Sequence, residues 1–125
     1  MDKILVDTNV FIEIFKGKKE LLDYISSYDV FVNPIIMMEL YIGAFNKNEI
    51  KKFEDFFKSF NVVMLNEKVS RLAIELVKTY SKSSGLLLPD AFIAATCLDF
   101  SLELFTFNVR DFKFIDKLKL HRYKN

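Results

Sequence analysis

The chain has 125 residues, 51% hydrophobic and 28% charged, a length and balance that suit one folded core and leave too little for two. Its 18 basic residues nearly cancel its 17 acidic ones, so any grip on a polyanion must come from local patches and not from overall charge. One cysteine excludes a disulfide framework, one histidine leaves little room for a histidine triad or zinc site, and three scattered glycines exclude a P-loop and a dinucleotide fingerprint.

Lys3 to Val6 is a short apolar run that ends at Asp7, with Thr8 and Asn9 as natural caps for a first helix. That helix carries Val10, Phe11, Ile14 and Phe15 inward and stops near Gly17. Lys18 to Ser27 reads as a second helix, and Val30 to Val32 as a compact strand. Asn33-Pro34 then signals a turn and a helix start, with the helix running past Glu39 to about Ala44. Asn48 to Phe60 is a further helix, and its Phe53, Phe56, Phe57 and Phe60 fall on one stripe. Asn61 to Leu65 is a strand, and Asn66 caps a long helix that reaches Ser83 and ends at Gly85. A last helix begins around Pro89-Asp90 and runs to about Phe100. Leu102 to Phe107 is a strand, followed by a turn and a short apolar end.

Strands that alternate with helices, without Asn-Gly or Asp-Gly hairpin turns, predict an α/β fold over residues 1–125 as a single domain with a mainly parallel central sheet. In such sheets, sites form beyond the carboxyl ends of the strands. Asp7 and Asn108 each follow a predicted strand directly, which puts both at one edge. No run is long enough to span a bilayer and the N-terminus lacks a signal-peptide layout, so a cytoplasmic protein with no membrane partner is expected.

Four acids lie next to apolar runs where predicted elements begin or end: Asp7, Glu39, Asp90 and Asp111. A carboxylate in such surroundings is costly unless something cationic neutralises it. Spread this far along the chain, the four suggest a shared metal ion. Hard divalent cations such as Mg²⁺ and Mn²⁺ prefer oxygen ligands and keep several waters, which leaves positions for a phosphate and an attacking water. Asp90 sits at a helix start, where the macrodipole favours a negative charge. Thr8 is placed to hydrogen-bond to a coordinated water or a phosphate.

The segments LVDTNVFI, MMELYIGA, PDAFIAAT and TFNVRDF, in this order and at these separations, resemble the VapC-type PIN-domain ribonucleases from Ile4 to Phe112. The resemblance implies a Rossmann-like PIN fold, a three-layer sandwich, with Mg²⁺ or Mn²⁺ dependence and endonucleolytic cleavage of RNA. It also implies a toxin held in check by a cognate antitoxin protein, and a homodimer. Carried over residue by residue, Asp7, Glu39 and Asp90 match the family's most dependable acids. Its fourth acid falls at the position of Asn108 or of Asp111, and here Asp111 takes that role, with Asn108 as a positioning residue. Where the family often has a basic residue before that Asn, this chain has Phe107, which leaves Arg110 as the candidate for phosphate contact.

Each acid also has a plain structural reading. Asp7 and Asp90 suit helix caps, and Glu39 suits a solvent face. The Phe53/Phe56/Phe57/Phe60 stripe reads equally as helix packing or as a groove for an antitoxin. Lys16, Lys18 and Lys19 are a solvated run or an RNA-guiding lip, and His121 has no partner in view. A PIN-type nuclease of housekeeping RNA processing and a non-catalytic binding module that keeps the fold both remain open alternatives.

Overall fold

The first two strands are each followed directly by a polar residue that caps the next helix, Asp7 and Asn33, and this repetition builds the molecule. The computed structural model describes residues 2–124. In chain order the elements are β1 (Lys3–Val6), α1 (Thr8–Phe15), α2 (Lys19–Ile25), β2 (Asp29–Val32), α3 (Pro34–Ile42), α4 (Lys47–Phe57), β3 (Asn61–Val62), α5 (Glu67–Ser84), α6 (Leu88–Phe100) and β4 (Glu103–Phe105). A 3-10 turn follows at Val109–Asp111.

The sheet order is β3-β2-β1-β4, with every neighbouring pair parallel. Leu5 stands opposite Phe31 of β2 and Leu104 of β4. Ile4, Leu5 and Val6 are fully buried although their side chains alternate between faces, so the sheet is covered on both sides. This is the expected layered α/β arrangement. β3 and β4 are shorter than the apolar runs predicted, because such a run reports burial while pairing requires a neighbouring strand in register. The edge beyond β4 is extended by the C-terminal segment instead. The Leu104 N–H donates to the Lys119 carbonyl at 2.9 Å, and the His121 N–H donates to the Leu104 carbonyl at 2.7 Å.

Local side chains start the helices. Asn33, Asn46 and Asn66 accept from the N–H groups of Ile36, Glu49 and Val69 at 2.8–3.0 Å. For α1 the cap is Asp7, not Thr8 or Asn9, since Thr8 is already helical and donates its N–H to the Asp7 carboxylate. Gly85, at φ +72°, closes α5 in the left-handed conformation that glycine adopts without strain.

The phenylalanine stripe packs α4 against α1. Phe53 and Phe57 are buried, and the Phe11 ring meets Phe56 and Phe57 edge-on at 5.6 and 5.7 Å. Phe15, expected inside, is 41% exposed and lies over the Phe53 ring at 4.7 Å. Exposed apolar surface gathers instead around Met38, Ile42 and Phe45, the last two 85% and 91% exposed. His121 does have partners: its Nε2 is 2.6 Å from the Tyr24 hydroxyl and its Nδ1 is 2.9 Å from Glu103 Oε1. Among the described residues no helix is long and apolar enough to cross a membrane.

A candidate carboxylate site at the ends of β1 and β4

An open parallel sheet forms a crevice where adjacent strands send their connections to opposite sides. Here that place lies between β1, whose chain continues to β2, and β4 on its other flank. Asp7 leaves β1 at this point and Thr106 leaves β4. The Asp7 N–H still donates to the Phe105 carbonyl at 2.9 Å, so the two strand ends stay in register up to the site.

Asp7 is 5% exposed. Its Oδ1 accepts from the Thr8 N–H at 2.8 Å, and its Oδ2 accepts from the Thr106 hydroxyl at 2.8 Å and from Asn9 Nδ2 at 3.3 Å. Burial pushes its pKa above the ordinary 3.8, and the charge of Glu39 adds to this. The bonds from Thr106, Thr8 and Asn9 pull in the other direction without cancelling the rise.

Thr106 is the junction. Besides donating to Asp7, its buried oxygen accepts from Asn9 Nδ2 at 3.2 Å and from the Asn108 N–H at 3.0 Å. Asn9 returns the link by accepting from the Phe107 N–H at 3.0 Å. Sequence reasoning singled out neither residue for the site. The signal was a lone hydroxyl ending the apolar run LELF, but its meaning depends on β4 lying beside β1.

Glu39 reaches the same region from α3, where its Oε1 accepts from the Thr8 hydroxyl at 2.9 Å. Thr8 therefore touches both acids, through its N–H and through its side chain. Asp90 sits in the first turn of α6 but does not cap it. The cap position is Leu87, and the Asp90 carboxylate has no hydrogen bond among the described residues. The buried bond from Asn33 Nδ2 to Thr96 Oγ1, 3.0 Å, ties α6 to the end of β2 and so helps to aim that first turn.

Burial raises the pKa of Asp90 from 3.8 to about 7, reinforced in turn by the charges of Asp7, Asp111 and Glu39. The other three acids named from the sequence thus all act on Asp90, although the four come from separate parts of the chain. Among the described residues none of the four forms an ion pair with a lysine or arginine.

The fourth corner is different in kind. Asn108 and Asp111 are both exposed, joined through the backbone by the Asp111 N–H donating to the Asn108 carbonyl at 3.0 Å. Arg110 is exposed between them and makes no ion pair among the described residues. Among the described residues no three His, Cys, Asp or Glu side chains stand close enough together to hold a metal ion as they are placed. The acids share one electrostatic field without forming a finished cage. Of the basic run after α1, Lys16 and Lys18 each pair with Glu13 at 3.2 Å.

Residues 4–118 match the PIN domain family. The chain is 30% identical to Ribonuclease VapC2 of Methanocaldococcus jannaschii, across 95% of this chain and 93% of that one. It is 29% identical to Ribonuclease VapC of Rickettsia bellii, across 94% and 93%. In three dimensions it resembles a toxin–antitoxin complex from Klebsiella pneumoniae, with a TM-score of 0.77 and 27% identity over 92% of this chain and 94% of that one. It also resembles VapBC-1 from nontypeable Haemophilus influenzae, with a TM-score of 0.80 and 25% identity over 95% and 96%. Fold, strand-end acids and similarity along nearly the whole chain agree: this protein belongs to the PIN domain family.

Proposed function

We propose that the protein is a Mg²⁺- or Mn²⁺-dependent endoribonuclease that acts as the toxin of a type II toxin–antitoxin pair. The observation that carries the reading is the convergence of Asp7, Glu39, Asp90 and Asp111 on one field with no cationic side chain among the described residues to balance them. Relatives that carry the name ribonuclease support the substrate class.

The donor set fits a hard divalent cation. It consists of carboxylate oxygens whose charges bear on Asp90 with no ion pair among the described residues to relieve them, and oxygen ligands are what such an ion prefers. Asp7, Glu39, Asp90 and Asp111 would hold it, with Asp111 as the fourth acid because its charge is felt at Asp90. When bound, the cation lowers the pKa of a coordinated water and stabilises charge building on the scissile phosphate. The protein's part is orientation. Thr106 and Asn9 fix the Asp7 carboxylate, and Thr8 holds Glu39 against it. Asn108 and Arg110, exposed at the rim, position the substrate phosphate.

The partner reading places an antitoxin on the apolar surface of Met38, Ile42 and Phe45, which begins one residue from Glu39 on α3. Exposed Leu87 and Leu88, at the start of α6, suit the contact of a homodimer. The decisive experiment incubates the purified protein with single-stranded RNA in Mn²⁺, in Mg²⁺ and in EDTA. Internal cleavage in either metal that disappears in EDTA and in Asp7→Asn is expected. Absence of cleavage in both metals, with folded protein and a broad RNA panel, rejects the enzyme. Growth inhibition on expression, relieved by co-expressing a neighbouring small gene, tests the toxin role.

A further inference from the structure

A groove of about 820 Å³ opens beside the carboxylates, and its lining includes Phe107, Tyr123, Asn9, Leu21, Glu20 and Lys18. We propose that this groove is a nucleobase subsite, in which Phe107 and Tyr123 take an unstacked base of single-stranded RNA next to the phosphate being cut. The proposal rests on the ribonuclease reading and adds to it a place for the base and the residues that grip it.

Continuity with the site is the first support. Asn9 lines the groove, donates to the Asp7 carboxylate and accepts from the Phe107 N–H, so one residue joins the groove wall to the acid that would face the phosphate. A base attached to a nucleotide at the carboxylates therefore has the groove within reach. The second support is aromatic. Phe107 is 42% exposed two residues beyond β4 and lines the groove. Its ring is 6.1 Å from that of Tyr123, and both rest on the buried Phe105 ring, at 5.6 and 5.4 Å. Tyr123 is held in turn by Tyr24 at 4.7 Å, so the platform is backed by packed side chains.

Charge is the third support. The polar end of the groove carries Glu20 and the Lys18–Glu13 ion pair, two acids to one base, with no surplus positive charge. It therefore favours a base over a second phosphate. Single-stranded nucleic acids are held in this way elsewhere, by aromatic faces that stack bases without demanding a particular sequence.

The test uses the full chain, a short single-stranded RNA, and matched RNAs that carry one abasic nucleotide at successive positions. Binding is titrated in EDTA by fluorescence anisotropy, so that no cleavage intervenes. Native protein is expected to lose roughly 5- to 100-fold in affinity when one particular base is removed. Phe107→Ala is expected to bind the intact RNA that much more weakly and to be indifferent to the missing base. Phe107→Tyr keeps the preference, and it guards against a folding defect in the alanine variant, as does Tyr123→Phe. If no single abasic position weakens native binding, or if Phe107→Ala remains sensitive to the same position, the subsite is overturned and the groove is left to a cationic side chain of a protein partner. Adding Mn²⁺ to the same RNAs reads the ribonuclease proposal separately. Failure there shows as absent cleavage, whatever the binding titration gives.

Discussion

Asp7 and Phe11 lie one helical turn apart at the start of α1 and are buried to nearly the same degree, at 5% and 0% exposure. Burial has opposite consequences at the two places. Around Phe11 the rings of α4 close in, and removing such a side chain from water stabilises the fold by about 1.5–3 kcal/mol. Around Asp7 burial raises the energy of the charged form, and three hydrogen bonds offset only part of that cost. The same short helix anchors the apolar layer and carries the strained edge. A site of unbalanced acids is tolerated because a well-packed layer stands directly behind it.

The sharpest way to separate the two regions is to change one and measure both. Asp7→Asn keeps an acceptor at the helix cap, so its melting point should stay close to native while RNA cleavage falls by more than about a hundredfold. That floor is set by the roughly 10- to 100-fold cost of losing a residue that merely orients a metal ligand. Retained cleavage would remove Asp7 from the site. Phe57→Ala should do the reverse. It should destabilise the fold by about 3–5 kcal/mol in urea unfolding while Mn²⁺ still raises its melting point. A variant that loses the metal response as well would show that the two regions are one unit.

Smaller changes probe the junction. Thr106→Val removes the hydroxyl that Asp7, Asn9 and Asn108 share, and a loss of about 10- to 100-fold in kcat/KM is expected. Native rates in this variant would reduce Thr106 to a structural bystander.

The pH dependence follows from Asp90. Its pKa is about 7 in the folded chain against an ordinary 3.8, so between those values the folded state binds more protons than the unfolded state. Its contribution is therefore fully present at low pH, and stability is lost as pH rises from about 4 through about 7. In EDTA, native protein should melt progressively below Asp90→Asn as pH goes from 5 to 8, and Mn²⁺ should shrink the gap. A gap that stays constant with pH would contradict the shared field.

The smallest effect concerns the open corner. Asp111→Asn should lower cleavage by about tenfold and Asn108→Ala by only a fewfold, because both are exposed at the rim and only Asp111 brings a charge that reaches Asp90. The opposite ranking would exchange their roles.

Much of this was legible before any coordinates. Asn33 and Asn66 announced helix starts because a cap bonds only a few residues ahead, and Gly85 announced a stop for a similarly local reason. The alternation of strands and helices declared the parallel sheet. Asp7, Glu39 and Asp90 stood out because a charge beside apolar residues is costly wherever the chain goes. Thr106 and Asn9 were not legible as site residues, since their hydrogen bonds span about a hundred positions and exist only because β4 lies beside β1. His121 was misread for the same reason, as its partners Tyr24 and Glu103 are distant in sequence. The exposure of Phe15 was hidden too, because periodicity gives a helix its apolar face without saying how far the neighbouring helix covers it.

The sequence by itself determined the order of elements, the acids and their family pattern, all of which follow from short-range periodicity, capping and residue chemistry. The tertiary structure decided that Asp7 and Asp111 press on Asp90, that Thr106 holds Asp7, and that Phe107 and Tyr123 share one wall. These depend on the strand order β3-β2-β1-β4, and long-range packing of the whole sheet selects that order where no local signal does.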